Sequence, residues 1–321
     1  MDLKKMDPYP LTFTPLMKEK VWGGRRLAEV GKVLPAQGPF GESWELVDLD
    51  DDQSMVAAGP AKGIGLHELI NAWGPGLMGS AGLDGGRFPL LVKYLDANET
   101  LSVQVHPDAE VARRLGGRPK SEAWYILGVE PGGVIYRGLK PGVGRDELAA
   151  ALAAGEVEQL LAVEQVEPGD LVPVPPGTVH AIGAGVMLAE VQQPSDTTYR
   201  VHDWGRNGLD GVPRTLHIQQ ALQSIHFGVE PPPMVRSGSI PVAMFHFRLV
   251  SLDPGQVRDE AVEGPVVLVG LEGLAHIETG PYAARCGLGD VVLLPSACRP
   301  AQISASGQGA RLLEVIFPRT S

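Results

Sequence analysis

Cysteine is scarce in this chain: Cys286 and Cys298 are the only two in 321 residues. They are too few and too close together for a disulfide framework, which points to a reducing, intracellular compartment. Long apolar runs are missing too. No stretch approaches the roughly 18 residues of a membrane span. The start, Met1-Asp-Leu-Lys-Lys-Met-Asp-Pro8, offers neither an apolar run nor a small-residue cleavage site, so the expected location is cytoplasmic. Basic charge is in deficit. A formal net charge of -11 argues against nucleic-acid and membrane partners, and an anionic substrate would need a local basic pocket. Glycine (41) and proline (28) are plentiful, which favours many short strands joined by tight turns. With 44% hydrophobic and 20% charged residues the composition is that of a globular protein, and the length allows about two domains. The expected class is mainly β.

Short apolar runs punctuated by Gly, Pro and Asp read as strands: Ser43–Val47, Phe88–Leu95, Leu101–His106, Glu122–Gly128 and Asp170–Val174. Helical patterns are few: Leu66–Trp73, Asp108–Leu115 stopped by Gly116-Gly117, Arg145 to about Val163 divided at Gly155, and Thr215–Ile225. Pro231-Pro-Pro233 and Ser237-Gly-Ser239 mark a linker, giving an expected first domain over 1–235 and a second over 236–321. An internal echo supports that division. Gly169-Asp170-Leu-Val-Pro-Val-Pro175 recurs as Gly289-Asp290-Val-Val-Leu-Leu-Pro295, with Pro300 at the place of His180. Glu122-Ala-Trp-Tyr-Ile-Leu-Gly128 is echoed by Gly264-Pro-Val-Val-Leu-Val-Gly270. Two related β-barrels are expected, the second without ligands.

Four residues of the first part stand out as metal-ligand candidates. Alternation along Leu101-Ser-Val-Gln-Val-His106 sends Gln104 and His106 to the same face of one strand. Glu122 opens a second apolar run, and His180 follows a third within Pro175-Pro-Gly177-Thr-Val-His180. Such donors suit a borderline divalent metal, with cobalt or manganese as admissible as zinc.

The segment from Gly169 to His180 is similar to the second motif of the cupin barrels, with Ala184 where an Asn is often found. The first half departs from that motif, and the departure itself resembles the type I mannose-6-phosphate isomerase family. The matching positions read Gln104-Val-His106-Pro107, Lys120-Ser-Glu122, Pro175-Pro-Gly177-Thr-Val-His180, and Glu190 with Arg200. Further likeness lies in Lys18-Glu-Lys-Val-Trp22-Gly-Gly24, Gly41-Glu-Ser-Trp44-Glu, Phe88-Pro-Leu-Leu-Val-Lys93 and the stretch from Gln192 to Val201. It extends from about residue 10 to 206, in the compact bacterial form.

The resemblance implies a cupin (double-stranded β-helix, jelly-roll) barrel with peripheral helices and a second, smaller, ligand-free cupin-like domain. It implies one zinc ion per chain on Gln104, His106, Glu122 and His180, and a phosphorylated hexose as substrate. Isomerisation of mannose 6-phosphate to fructose 6-phosphate moves a proton between C1 and C2 through a cis-enediol, which needs a base and facing positive charge. Glu190 is the expected base, while Arg200 and Lys120 are expected to stabilise the enediolate or hold phosphate. Trp22, Trp44 and Trp124 are expected in the barrel core, and His67, His202, His217, His226, His246 and His276 carry no assigned role. A non-catalytic sugar-binding or regulatory cupin and a metal-dependent cupin oxygenase stay open as alternatives. Monomer and homodimer are both compatible with the sequence.

Overall fold

Side-chain alternation sets the layers of this molecule. On the strand Glu122–Val129, Trp124 and Ile126 enter one apolar cluster, while Ala123 and Tyr125 enter another on the opposite face. The same parity holds on Val186–Gln192, where Leu188 goes one way and Ala189 and Val191 the other. Each strand is therefore buried on both faces. The computed structural model describes residues 2–242, 245–260, 263–298 and 300–317. The outermost residues of both expected domain ranges, 1 and 318–321, lie outside the described residues.

Three antiparallel sheets make up the fold. A six-stranded sheet runs in the order Leu16–Gly24, Phe40–Leu46, Leu91–Ala97, Val186–Gln192, Glu122–Val129, Leu171–Val174. A five-stranded sheet runs Tyr199–His202, Val103–Val105, His180–Ile182, Val134–Leu139, Leu161–Gln165. Their inner faces meet in a cluster that includes Leu95, Trp124, Ile135 and Ile182. The outer face of the five-stranded sheet is covered through Leu148 and Leu222 of two helices. The outer face of the six-stranded sheet packs on an eight-stranded sheet, with Tyr94 and Val191 against Val267 and Val315. That third sheet is built from strands beginning at Ser239, joined at one edge by Leu11–Thr12, which pairs with Val291–Leu294.

The echoed segments make the same turn. Asp170 accepts from Glu167 N at 2.8 Å, and Asp290 accepts from Gly287 N at 2.9 Å. Each then leads a strand antiparallel to its echoed partner, Trp124 opposite Val172 in one case and Val266 opposite Leu294 in the other. The second pairing is shifted by two residues, a slip that preserves which side chains face inward. The segment expected as a linker is tied to the rest of the fold: Arg137 Nη1 donates to the carbonyls of Pro173 at 2.9 Å and Pro232 at 2.8 Å.

Helix Leu66–Trp73 forms as expected, burying Leu66, Leu69, Ile70 and Trp73 at helical spacing. Ala109–Leu115 is capped by Asp108, which accepts from Val111 N, and stops at Gly116 with φ 81°. The third expected helix is shorter than its composition implied. It covers Arg145–Ala154 and ends at Gly155 in the left-handed region; after a short turn, Leu161–Gln165 is a strand against Val134–Leu139. The fourth covers Ile218–Ser224, because Thr215 and His217 are drawn to Arg200 instead.

Candidate active site and metal centre

Two rows of side chains face each other across the barrel. In the five-stranded sheet Gln104 is the neighbour of both Arg200 and His180, so the three stand side by side on adjacent strands. In the six-stranded sheet Glu190 lies between Lys93 and Trp124 in the same way. Glu122, two residues before Trp124, shares its face, and His106 follows two residues after Gln104.

The histidine tautomers are fixed by their backbone partners. His106 Nδ1 lies 2.8 Å from the Thr197 carbonyl and His180 Nδ1 lies 2.9 Å from the Thr178 carbonyl. A carbonyl only accepts, so each Nδ1 donates and each neutral ring presents a bare Nε2. Those Nε2 atoms point at Glu122, 3.2 Å from Oε1 and 3.4 Å from Oε2. Burial, then the Lys120 charge, holds His106 down at about 4, and burial also lowers His180. Both rings are therefore neutral at pH 7. Three acceptor groups whose donor atoms lie within 4.8 Å of one another repel unless a cation stands between them. Here the cation against them is the Lys120 ammonium, 2.5 Å from Glu122 Oε1 and 3.3 Å from His106 Nε2. It is a charge contact only, since neither Glu122 oxygen accepts a directed hydrogen bond. The Gln104 amide lies 3.2 Å from His180 Nε2, and a half-turn about its last bond presents oxygen to the same point. Two imidazoles, a carboxylate and an amide fit a divalent metal ion.

Facing this cluster is a second buried charge group. Glu190, 3% exposed, takes Lys93 Nζ at 3.1 Å on one oxygen and Trp124 Nε1 at 3.0 Å on the other. Burial, followed by the nearby Glu122 charge, raises the Glu190 carboxyl above its ordinary value, with Lys93 and Lys120 opposing. Burial works against the Lys93 ammonium, but Glu190 and Glu42 outweigh it and keep it charged. Glu42 also resists its own burial, held near 2 by Lys93 and Lys20, and accepts from Trp44 Nε1 at 2.6 Å. Trp124 touches both groups, because its ring also packs edge-on against His180 with centroids 5.6 Å apart.

The cavity between the rows holds about 150 Å³ and is partly open to solvent. Five cationic and four carboxylate side chains line it, an excess of positive charge within a chain of net -11. Gln104, Lys120, Glu122, Glu190 and Arg200 line this one cavity, and His106 and His180 adjoin it through Glu122. Lys120, two residues ahead of Glu122, is 5% exposed. Glu190 and Arg200 do not pair with each other; they sit in opposite sheets. Trp22, Trp44 and Trp124, expected only in the core, are buried and also line the cavity, since inward parity near the barrel mouth serves both ends. Sequence reasoning missed Lys93, Glu42, Lys20 and Arg214. The available signal was a charged residue at inward parity inside an apolar strand, as in Leu91-Val-Lys93-Tyr-Leu95.

The chain is similar to known proteins in sequence and in fold. Residues 11–125 match the catalytic domain of phosphomannose isomerase type I. The mannose-6-phosphate isomerase ManA of Bacillus subtilis is 36% identical over 303 residues, spanning 90% of this chain and 94% of its own. The chain belongs to the type I phosphomannose isomerase family. A second member, the mannose-6-phosphate isomerase of Streptococcus mutans, is 41% identical over 221 residues, 68% of each chain. The solved structure of a Bacillus subtilis mannose 6-phosphate isomerase superposes with a TM-score of 0.84 at 29% identity, covering 97% of this chain and all of the other. A putative mannosephosphate isomerase from Archaeoglobus fulgidus has the same fold, with a TM-score of 0.78 at 19% identity. The mainly β, cupin architecture is that of the family. Among the described residues no helix is long and apolar enough to cross a membrane.

Proposed function

We propose that this chain is a metal-dependent aldose–ketose isomerase that interconverts mannose 6-phosphate and fructose 6-phosphate through a cis-enediol. What carries the reading is the placement of one buried, raised carboxylate, Glu190, opposite a cluster of two imidazoles, an amide and a carboxylate in a cation-rich cavity. Gln104, His106, Glu122 and His180 would hold one zinc ion, which when bound supplies Lewis acidity to the substrate's carbonyl and hydroxyl oxygens. Glu190 removes the proton from C2 of the open-chain aldose and returns it to C1. A raised carboxyl suits that double duty, because it accepts a proton at neutral pH and keeps it long enough to deliver it. Lys93 and Trp124 hold both Glu190 oxygens and so aim the free lone pairs into the cavity. Lys120 places positive charge at the reacting end, beside Glu122, and Arg200 offers a guanidinium for the developing enediolate or for phosphate.

The proposed setting is the cytoplasm, with the chain acting as a monomer or homodimer. Residues 1–235 would form the catalytic domain and 236–321 a cupin-like domain without ligands. The test is turnover of mannose 6-phosphate to fructose 6-phosphate by purified protein, before and after chelation and with zinc, cobalt or manganese restored. Loss on chelation and recovery with zinc supports the reading. Absence of turnover in folded, metal-replete protein overturns it, and oxygen consumption in its place would move the chain to the oxygenases.

A further inference from the structure

Four segments meet behind the metal-ligand cluster, and three consecutive residues, His106, Pro107 and Asp108, hold them together. Gly177 N donates to His106 O at 2.9 Å, Lys120 N donates to Pro107 O at 3.3 Å, and Asp108 Oδ2 lies 2.9 Å from His226 Nε2. The first bond joins the turn that leads to His180, and the second joins the residue two before Glu122. Main-chain bonds therefore tie the segment of one ligand to the segments of two others. His226 adds a third tie from outside the ligand segments.

A carboxylate only accepts, so His226 Nε2 carries the proton and donates to Asp108. The same residue reaches the turn before His180 twice. Its backbone N donates to Gly177 O at 3.0 Å, and its ring covers Gly177, where a Cβ would stand 2.4 Å from the ring's Cγ. His106, Gly177, His226 and Asp108 thus form a closed circuit of hydrogen bonds, completed by the chain through Pro107. The other Asp108 oxygen caps helix Ala109–Leu115 by accepting from Val111 N at 2.8 Å, so the carboxylate is fixed on both sides. His226 is fixed as well. It follows helix Ile218–Ser224, and Leu222 and Ile225 are buried with Val105 and Val179, the residues just ahead of His106 and His180. The side chains of His226 and Asp108 are 42% and 34% exposed, so their pair adds little to global stability. What it does is bridge two ligand-bearing turns and resist their separation.

We propose that His226 is a positioning residue for the metal centre: clasped to Asp108, it locks the turn before His180 onto the turn after His106 and so sets the spacing of the two imidazole ligands. The inference rests on the metal-dependent isomerase reading and deepens it. Donors held at their spacing before an ion arrives lose less order on binding it and release it more slowly.

The experiment measures zinc release to an excess of a coloured pyridylazo chelator in wild type, His226→Ala, His226→Gln, Asp108→Ala and the variant carrying both alanines. The melting temperature in excess chelator and the visible spectrum of each cobalt-loaded protein are recorded alongside. Zinc release from His226→Ala is expected to be about 10-fold faster than from wild type, with the cobalt bands shifted as ligand geometry loosens. Its metal-free melting temperature stays within about 2 °C of wild type. His226→Gln restores slow release, because its amide nitrogen donates at nearly the place of the imidazole Nε2. The double variant releases zinc within about twofold of Asp108→Ala alone, since either change opens the same circuit. Unchanged zinc release from folded His226→Ala, or two effects that multiply in the double variant, overturns the proposal and leaves the isomerase intact. If wild type retains neither zinc nor cobalt and turns over no mannose 6-phosphate, the isomerase reading falls and this proposal falls with it. Should His226→Ala fail to fold, His226→Gln and His226→Asn decide: the longer amide reaches Asp108 and keeps release slow, the shorter one does not, and equal release from the two overturns the proposal.

Discussion

Replacing Glu190 with glutamine tests the base directly. The carboxylate accepts from two donors, Lys93 Nζ at 3.1 Å and Trp124 Nε1 at 3.0 Å. Glutamine has one acceptor oxygen, so its NH2 must confront one of those donors, and the Lys93 ammonium loses its contact partner in a site that is nearly dry. Breaking a buried ion pair costs about 3–5 kcal/mol. Glu42, still near Lys93, offsets part of that, leaving roughly 2–3 kcal/mol and a fall in melting temperature of about 3–5 °C for a chain of 321 residues. The protein should remain folded. Turnover should fall far more: loss of a positioned base removes about 10²–10⁴ in kcat/KM, or roughly 3–5 kcal/mol of transition-state stabilisation. Two assays separate chemistry from binding. Coupled measurement of fructose 6-phosphate gives kcat/KM, and deuterium incorporation from D2O at C1 or C2 reports proton transfer by itself. A folded Glu190→Gln protein that keeps kcat/KM within tenfold of wild type and still exchanges deuterium would refute the assignment. In wild type, the raised carboxyl must be ionised to act, so the acid limb of kcat/KM should lie at higher pH than an ordinary glutamate gives.

Three other outcomes are expected. Glu42 is depressed to about 2, so its contribution to stability is present above its unfolded value, lost as pH falls through about 2, and worth roughly 3 kcal/mol at neutral pH; Glu42→Gln should lower the melting temperature at pH 7 and much less at pH 2, and an equal drop at both would contradict the charge network. Glu122→Gln should cut zinc content after dialysis by tenfold or more while the fold persists, read by elemental analysis and circular dichroism; full metal retention would remove Glu122 from the ligand set. Gly177 has φ 81° and a Cβ there would stand 2.4 Å from the His226 ring, so Gly177→Ala should destabilise by more than the 1–2 kcal/mol of left-handed strain alone and weaken metal retention through the loop leading to His180; a melting temperature within 1 °C of wild type would show that the loop absorbs the methyl group.

How much was legible from sequence follows from the range of each interaction. Gln104 and His106 share a face by local alternation alone, and Glu122 and His180 each begin a strand that turn residues announce. Lys93 and Glu42 were invisible as site residues, because parity names two faces without saying which one meets the five-stranded sheet and which meets the eight-stranded sheet. Arg214 was further out of reach: only the bridge at Asn207 and Pro213 returns it to the cavity. Glu190 and Arg200 lie ten residues apart, yet the chain crosses from one sheet to the other between them. The division expected at Gly155 is where the left-handed glycine ends the helix; only the helical reading beyond it fails, because Leu161–Gln165 pairs as a strand.

The pairing of Leu11–Thr12 with Val291–Leu294 has a consequence for how the protein is made. During synthesis this segment leaves the ribosome about 280 residues before its partner strand exists, so that edge of the eight-stranded sheet closes only after Val291–Leu294 has emerged. Until then the apolar face that Tyr94, Ala123 and Val191 present on the six-stranded sheet has nothing to cover it. Non-local pairing of this kind is slow, and an apolar face left open in the meantime is prone to aggregate. Bulky fusions at the amino end should therefore lower the soluble yield more than fusions at the carboxyl end.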